Sequence, residues 1–263
     1  MNPALRIPYA IAGRIADAFT AIVPAGESKF RRGLSARRGL IERYRHWAST
    51  QRDSSRPLVW FHAPSVGEGL QALPVIELLS QRRRDVQIAY TFYSPSAEKF
   101  ARSVKADFSD YLPFDRFDHA REIVHALRPS TLIFSKLDIW PALTEAASMQ
   151  RVKIGVISAT LAEGSGRRGL FARALLADAY AALDRVGAID EDDAERLRQQ
   201  GVQKDRITVT GDTRYDQVWA RAQRPSPSLV QSLRSSRPTL VAGSTWPSDE
   251  EHLLPAWLRI REK

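Results

Sequence analysis

Ser65-Val66-Gly67-Glu68 places a carboxylate three positions behind a hydroxyl, directly after the apolar run Leu58-Val59-Trp60-Phe61. Such an acid can do two things. In a capping box, Ser65 and Glu68 bond each other's backbone N–H groups at a helix start. The other role open to Glu68 is catalytic. Gly67 and Gly69 flank it, and a glycine in a first helical turn costs roughly 1 kcal/mol against alanine. Close approach of a ligand to the backbone would account for both glycines. The spacing alone leaves capping and catalysis open.

Four more stretches carry usable side chains. Lys136 and Asp138 sit in Phe134–Pro141, where an apolar strand ends and a helix begins; Asp138 could equally cap that helix. Ser158-Ala159-Thr160-Leu161 and Gly211–Asp216 each close a strand, the second readable as a turn with a surface Arg–Asp pair of little worth. Thr239–Glu250 repeats the opening logic: an expected strand, the turn Gly243-Ser244-Thr245, and a helix from Pro247 whose free N–H groups suit a phosphate.

The elements that must position these residues alternate. Strand candidates are Leu58–His62, Val86–Phe92, Thr131–Phe134, Val152–Ile157, Arg185–Ile189 and Ile207–Thr210. Helical segments lie between them at Gly69–Arg82, Ala97–Val104, Arg116–Leu127, Ile139–Met149, Leu170–Leu183 and Glu191–Gln200. Alternation of this kind predicts βαβ units and a parallel sheet. Chemistry in such sheets lies at the carboxyl ends of the strands, which is where Glu68, Lys136 and Asp138 fall.

Composition narrows the classes. The chain has 263 residues and no cysteine, which excludes disulfides and thiolate chemistry. Residues 1–52 hold ten Lys and Arg against three acids, so +7 of the net +9 lies there. Residues 3–23 are apolar but broken by Arg6, Arg14 and Asp17, too interrupted for a spanning helix. An amphipathic helix in a membrane interface fits, with the basic stretch Lys29–Arg45 behind it; the plain alternative is a soluble helix packed on the body. Phe30, Tyr44 and Trp47 interleave with arginines, which also suits nucleic acid. The body offers no basic surface to continue such a groove, so no nucleic-acid partner is expected.

HAPSVGE, SKLDIWP, GDTRYDQ and AGSTWPSDEE, in this order across residues 60–250, resemble the 3-deoxy-D-manno-octulosonic acid (Kdo) transferases of lipopolysaccharide synthesis. The resemblance implies an α/β glycosyltransferase of the GT-B type. A membrane-associated segment would cover residues 1–50 and a Rossmann-like acceptor-binding domain residues 51–218. A linker over 219–238 would lead to an incomplete second Rossmann-like domain over 239–263. It further implies CMP-Kdo as donor, a lipid A precursor as acceptor, and no metal or other cofactor. The setting would be an anionic membrane surface at the cytoplasmic face of the bacterial inner membrane. Glu68 matches the family's base, for an inverting displacement. Ser65, Gly67, Lys136 and Asp138 would line the acceptor site, and Ser244 and Thr245 would contact the donor phosphate. Two positions depart from the family's E-T-E-x-W-P motif: Lys136 replaces its first Glu, and Asp138 replaces the second with one methylene fewer. The family's later donor motifs have no counterpart before Lys263, so the chain is expected to lack most of the donor site. The competing readings are another GT-B transferase acting on a lipid-linked sugar, and a non-catalytic membrane module that binds lipid.

Overall fold

The computed structural model describes residues 1–223, 231, 234, 236 and 239–261. Three helices open the chain, α1 (Pro3–Ile22), α2 (Lys29–Ser35) and α3 (Leu40–Thr50). Strand and helix then alternate through β1 (Leu58–His62), α4 (Val66–Arg82), β2 (Gln87–Phe92), α5 (Glu98–Ala101), β3 (Phe108–Tyr111) and α6 (Phe117–Leu127). The alternation continues through β4 (Thr131–Ser135), α7 (Pro141–Met149), β5 (Lys153–Ala159), α8 (Leu170–Ala181), β6 (Arg185–Ala188), α9 (Glu191–Gln199), β7 (Ile207–Val209) and α10 (Arg214–Gln223).

The strands form one parallel sheet in the order β3-β2-β1-β4-β5-β6-β7. β1 and β2 are buried at every residue, which explains their unbroken apolar character. The six expected strands are present. The seventh, β3, escapes sequence reading because it is a four-residue edge strand carrying Ser109 and Asp110, without an apolar run.

Helices α3, α6, α7 and α8 pack in sequence against one another. α4 packs on β4 and β5. Beyond it, Ile133, Gly155, Ile157, Gly187 and Thr210 line an open groove of about 510 Å³ along β4 to β7.

The opening helices are built into this unit. Tyr44 and Trp47 of α3 are core residues packed on Phe108, so they offer no ring for stacking with a partner. Much of the basic charge is used internally: Arg43 bonds Asp110, Arg45 pairs with Glu122, and Arg37 is buried against three backbone carbonyls and the Tyr93 ring. α1 presents its polar side inward. Arg6 makes a two-pronged bond to Glu145, Tyr9 donates to Asp115, and Arg116 reaches back to Asp17. Its opposite side carries Ile7, Ile11, Ile15, Phe19 and Ile22, each 48–76% exposed. No helix among the described residues is long and apolar enough to cross a membrane.

The chain divides into two units, Met1–Trp219 and Ala220–Lys263. The expected linker over 219–238 lies partly outside the described residues, and its first five residues continue α10. In the second unit a helix, Pro247–Arg261, begins where expected. The strand expected from Thr239 is not formed: residues 239–242 are irregular.

Candidate active site at the sheet switch point

Strand order reverses between β1 and β4, and such a reversal opens a crevice at the carboxyl ends of the two strands. The turn after β1 delivers Ser65, Gly67 and Glu68; the turn after β4 delivers Lys136 and Asp138. Ser135 fixes one turn to the other by donating its hydroxyl to the Glu68 carbonyl at 2.8 Å. Lys136 then adopts a left-handed backbone, φ 59°, which a residue with a side chain tolerates only under constraint. This bend places its ammonium 3.2 Å from Glu68 Oε1.

The capping box is half built. Ser65 caps α4 by accepting the Gly67 N–H at 3.2 Å. Its hydroxyl proton goes to Glu68 Oε2, and the Glu68 carboxylate bonds Ser65 and Lys136 side chains in place of the Ser65 backbone N–H. Burial pushes the Glu68 carboxyl up, but the Ser65 hydroxyl, the helix backbone and Lys136 outweigh it and hold it below its usual value. The two flanking glycines separate in role. A side chain on Gly69 would collide with Phe100 and Tyr90, so packing explains it and no ligand is needed. A side chain on Gly67 would meet only Ser65 Oγ, at 3.7 Å, leaving that side of the turn open.

Asp138 does not cap α7. It accepts from Trp140 Nε1 at 3.1 Å and from Arg167 at 3.3 Å, and lies 3.8 Å from His62 Nε2. Burial raises its carboxyl, while His62, Trp140 and Arg167 together bring it below the ordinary value. The cap of α7 comes from Asp115, which takes the Ala142 and Leu143 N–H groups at 2.8 and 2.9 Å. Asp115 also accepts the Tyr9 hydroxyl, so α1 is bonded to the carboxylate at the start of α7.

Two further stretches meet beside the crevice. Ser158 breaks the β5–β6 register with φ 49° and bonds Thr213 at 2.7 Å, and Thr213 donates to the Gln71 carbonyl of α4 at 2.7 Å. Asp212 is buried and holds Gln71 and Arg214, so the expected surface pair is a structural tie. The Glu68 carboxylate acts on the Arg214 guanidinium through space. His62, Thr91 and Arg167 escaped the sequence reading. His62 was legible as a polar residue closing an apolar strand inside the HAPSVGE motif; Arg167, in a loop after β5, carried no signal.

In the second unit, Thr245 donates to Glu250 at 2.7 Å and the Trp246 N–H to Asp249 at 2.9 Å. Ser244 has φ 57°. Asp249 and Glu250 thus occupy the first turn that was expected to face a phosphate. No group of three His, Cys, Asp or Glu among the described residues is placed to hold a metal ion.

Comparison with known proteins bears on the family and the fold. The chain is similar to 3-deoxy-D-manno-octulosonic acid transferases of Haemophilus influenzae (25% identical, 83% of this chain and 52% of that protein), Rickettsia felis (25%, 80% and 45%) and Bordetella pertussis (31%, 63% and 39%). It spans about half the length of the curated relatives it matches. Among solved structures, the putative UDP-N-acetylglucosamine 2-epimerase of Listeria monocytogenes superposes with a TM-score of 0.54 at 15% identity, over 69% of this chain and 52% of that one. The UDP-GlcNAc 2-epimerase of Neisseria meningitidis gives 0.51 at 17%, over 67% and 52%. These neighbours place the fold in the GT-B class. The family model described as 3-deoxy-D-manno-octulosonic-acid transferase (kdotransferase) matches residues 33–217, a span that holds the sheet, the crevice and both of its charged turns, and the chain belongs to this family of glycosyltransferases.

Proposed function

We propose that this chain carries the acceptor half of a transferase that moves Kdo from CMP-Kdo onto a hydroxyl of a lipid A precursor. The observation that carries the reading is the convergence of Glu68 and Lys136 at the β1/β4 crevice, with Asp138 beside them. Glu68 is held ionised at neutral pH, as a base must be before it receives a proton. In the transfer, the acceptor O–H gives its proton to Glu68 and its oxygen bonds the anomeric carbon of Kdo. The bond from that carbon to the CMP phosphate breaks, and CMP leaves with the electron pair on the face opposite the attack. Lys136, Arg167 and Arg214 supply positive charge for an acceptor that bears phosphates. Ser244 and Thr245 would serve the donor phosphate once Thr245 leaves Glu250.

The exposed apolar stripe of α1 supports seating on an anionic membrane, at the cytoplasmic face where the lipid acceptor is presented. Soluble helices turn such a stripe inward, and a stripe turned outward suits an interface. The test is transfer of labelled Kdo from CMP-Kdo to lipid A precursor by the full-length gene product. Transfer from CMP-Kdo, blocked by CMP and not by UDP, supports the reading. Binding of the lipid without turnover would favour a non-catalytic module.

A further inference from the structure

His62 closes β1 with no exposed surface, and its Nε2 has no hydrogen-bond partner among the described residues. We propose that His62 is a positioning residue for Asp138, locked by Trp60 and Thr91 as the neutral Nε2–H tautomer so that it donates to the Asp138 carboxylate. This inference rests on the reading of Asp138 as part of the acceptor site.

The polarity of the relay follows from what each group can do. Trp60 Nε1 can only donate, and it lies 2.9 Å from Thr91 Oγ1. Thr91 therefore accepts there and has one proton to give. Its choices are the Phe61 carbonyl at 3.4 Å and His62 Nδ1 at 3.0 Å, and the nearer is the ring. A neutral imidazole that accepts at Nδ1 carries its proton on Nε2. That proton faces Asp138 Oδ2 at 3.8 Å, and under 1 Å of closure makes it a hydrogen bond. The opposite tautomer would aim a lone pair at a carboxylate and leave Thr91 with the longer of its two bonds.

The surroundings hold the ring in place. Phe134 and Trp140 stand edge-on to it, each with centroids 6.1 Å away, and shield it from water. Trp60, His62 and Thr91 are all fully buried. Asp138 is therefore gripped on its inner side by a relay rooted in the sheet, while Arg167 on its outer side is 46% exposed. The inner grip sets where the carboxylate sits, and the outer partner is free to exchange for a substrate. Supporting groups that orient a site residue in this way act through it, without touching the substrate.

The direct test needs no variant: two-bond 1H–15N correlation of the His62 ring in the whole chain at neutral pH. A proton on Nε2 alone is expected; a proton on Nδ1, or on both nitrogens, overturns the proposal. Thr91→Val should remove the single-tautomer signature; its persistence would also overturn the relay. A paired comparison reads the effect on Asp138. In His62→Phe its carboxyl 13C titration should move to higher pH, and in His62→Gln, which keeps a donor at the Nε2 position, it should stay near the wild-type midpoint. An unmoved midpoint in His62→Phe refutes positioning. If these shifts occur while Asp138→Asn transfers Kdo normally, the relay stands and the acceptor-site reading of Asp138 fails.

Discussion

Glu68 Oε1 and Lys136 Nζ lie 3.2 Å apart across the crevice between β1 and β4, joining the start of α4 to a turn whose backbone is bent to make the contact. The pair sets the first expectation. Lys136→Met removes a cation that favours the Glu68 carboxylate, so the Glu68 carboxyl should titrate at higher pH. The acid limb of the pH–rate profile of Kdo transfer should move upward with it. For stability the sign is the usual one for a depressed acid. The contribution of the pair is complete above pH 4.5, the unfolded value, and is lost as pH falls through the folded one. At pH 7 to 8 the partly buried pair, with side chains 32% and 18% exposed, is worth about 1 kcal/mol, so melting at neutral pH should change little.

Glu68→Gln separates a base from a cap. The reciprocal bond of a capping box is absent, so the substitution should cost less than about 1 kcal/mol of stability. Kdo transfer should fall on the order of 10²–10⁴-fold. Near-normal transfer by this variant would remove Glu68 from the mechanism.

The two glycines of the same turn should respond oppositely. Gly69→Ala drives a methyl to within 2.4 Å of the Phe100 ring and should destabilise the fold by roughly 1–3 kcal/mol. Gly67→Ala makes only an ordinary contact with Ser65 Oγ and should leave the melting temperature equal or higher, by up to about 1 kcal/mol of helix propensity. If the acceptor approaches over Gly67, that variant raises KM while remaining folded. Calorimetry and steady-state kinetics on the pair check both statements.

Asp115 gives the fold a distinctive pH response. Burial raises its carboxyl to about 6, against the bonds from Tyr9, Ala142 and Leu143 that favour the ion. Between pH 3.8 and about 6 the folded chain holds the proton more tightly than the unfolded chain, so the Asp115 contribution declines as pH rises through that window. Denaturant titrations should show wild type losing ground to Asp115→Asn from pH 4 to pH 7. A constant difference, or the reverse slope, would contradict the assignment.

Membrane seating rests on α1. Ile11→Glu with Ile15→Glu should abolish co-sedimentation with phosphatidylglycerol vesicles, since each isoleucine buried in an interface contributes roughly 1.5–3 kcal/mol. Both side chains are more than half exposed, so the melting temperature should stay within a few degrees of wild type. Unchanged vesicle binding would assign the stripe another role.

Much of this architecture was legible because buried parallel strands and their helices write strong patterns; Leu58–His62 and Thr131–Phe134 gave the sheet, and the turns behind them gave the charged groups of the crevice. What stayed hidden depends on pairing in three dimensions. β3 is a strand because β2 lies beside it, while Thr239–Ala242, for all its apolar character, is irregular. Asp138 looked like a cap because it precedes a helix, yet the cap came from Asp115, over twenty residues upstream. The bond between Glu68 and Lys136 depends on the left-handed bend at Lys136, which no sequence pattern signals.

The open groove along β4 to β7 makes the stability of the Met1–Trp219 unit conditional. A parallel sheet is normally covered on both faces, and here Ile133, Gly155 and Ile157 remain within reach of solvent. Apolar surface still to be buried is worth roughly 2.5 kcal/mol per 100 Å². Whatever settles there shifts the folding equilibrium by mass action. A melting temperature measured for this chain therefore belongs to the solution it sits in, detergent and concentration included, as much as to the polypeptide.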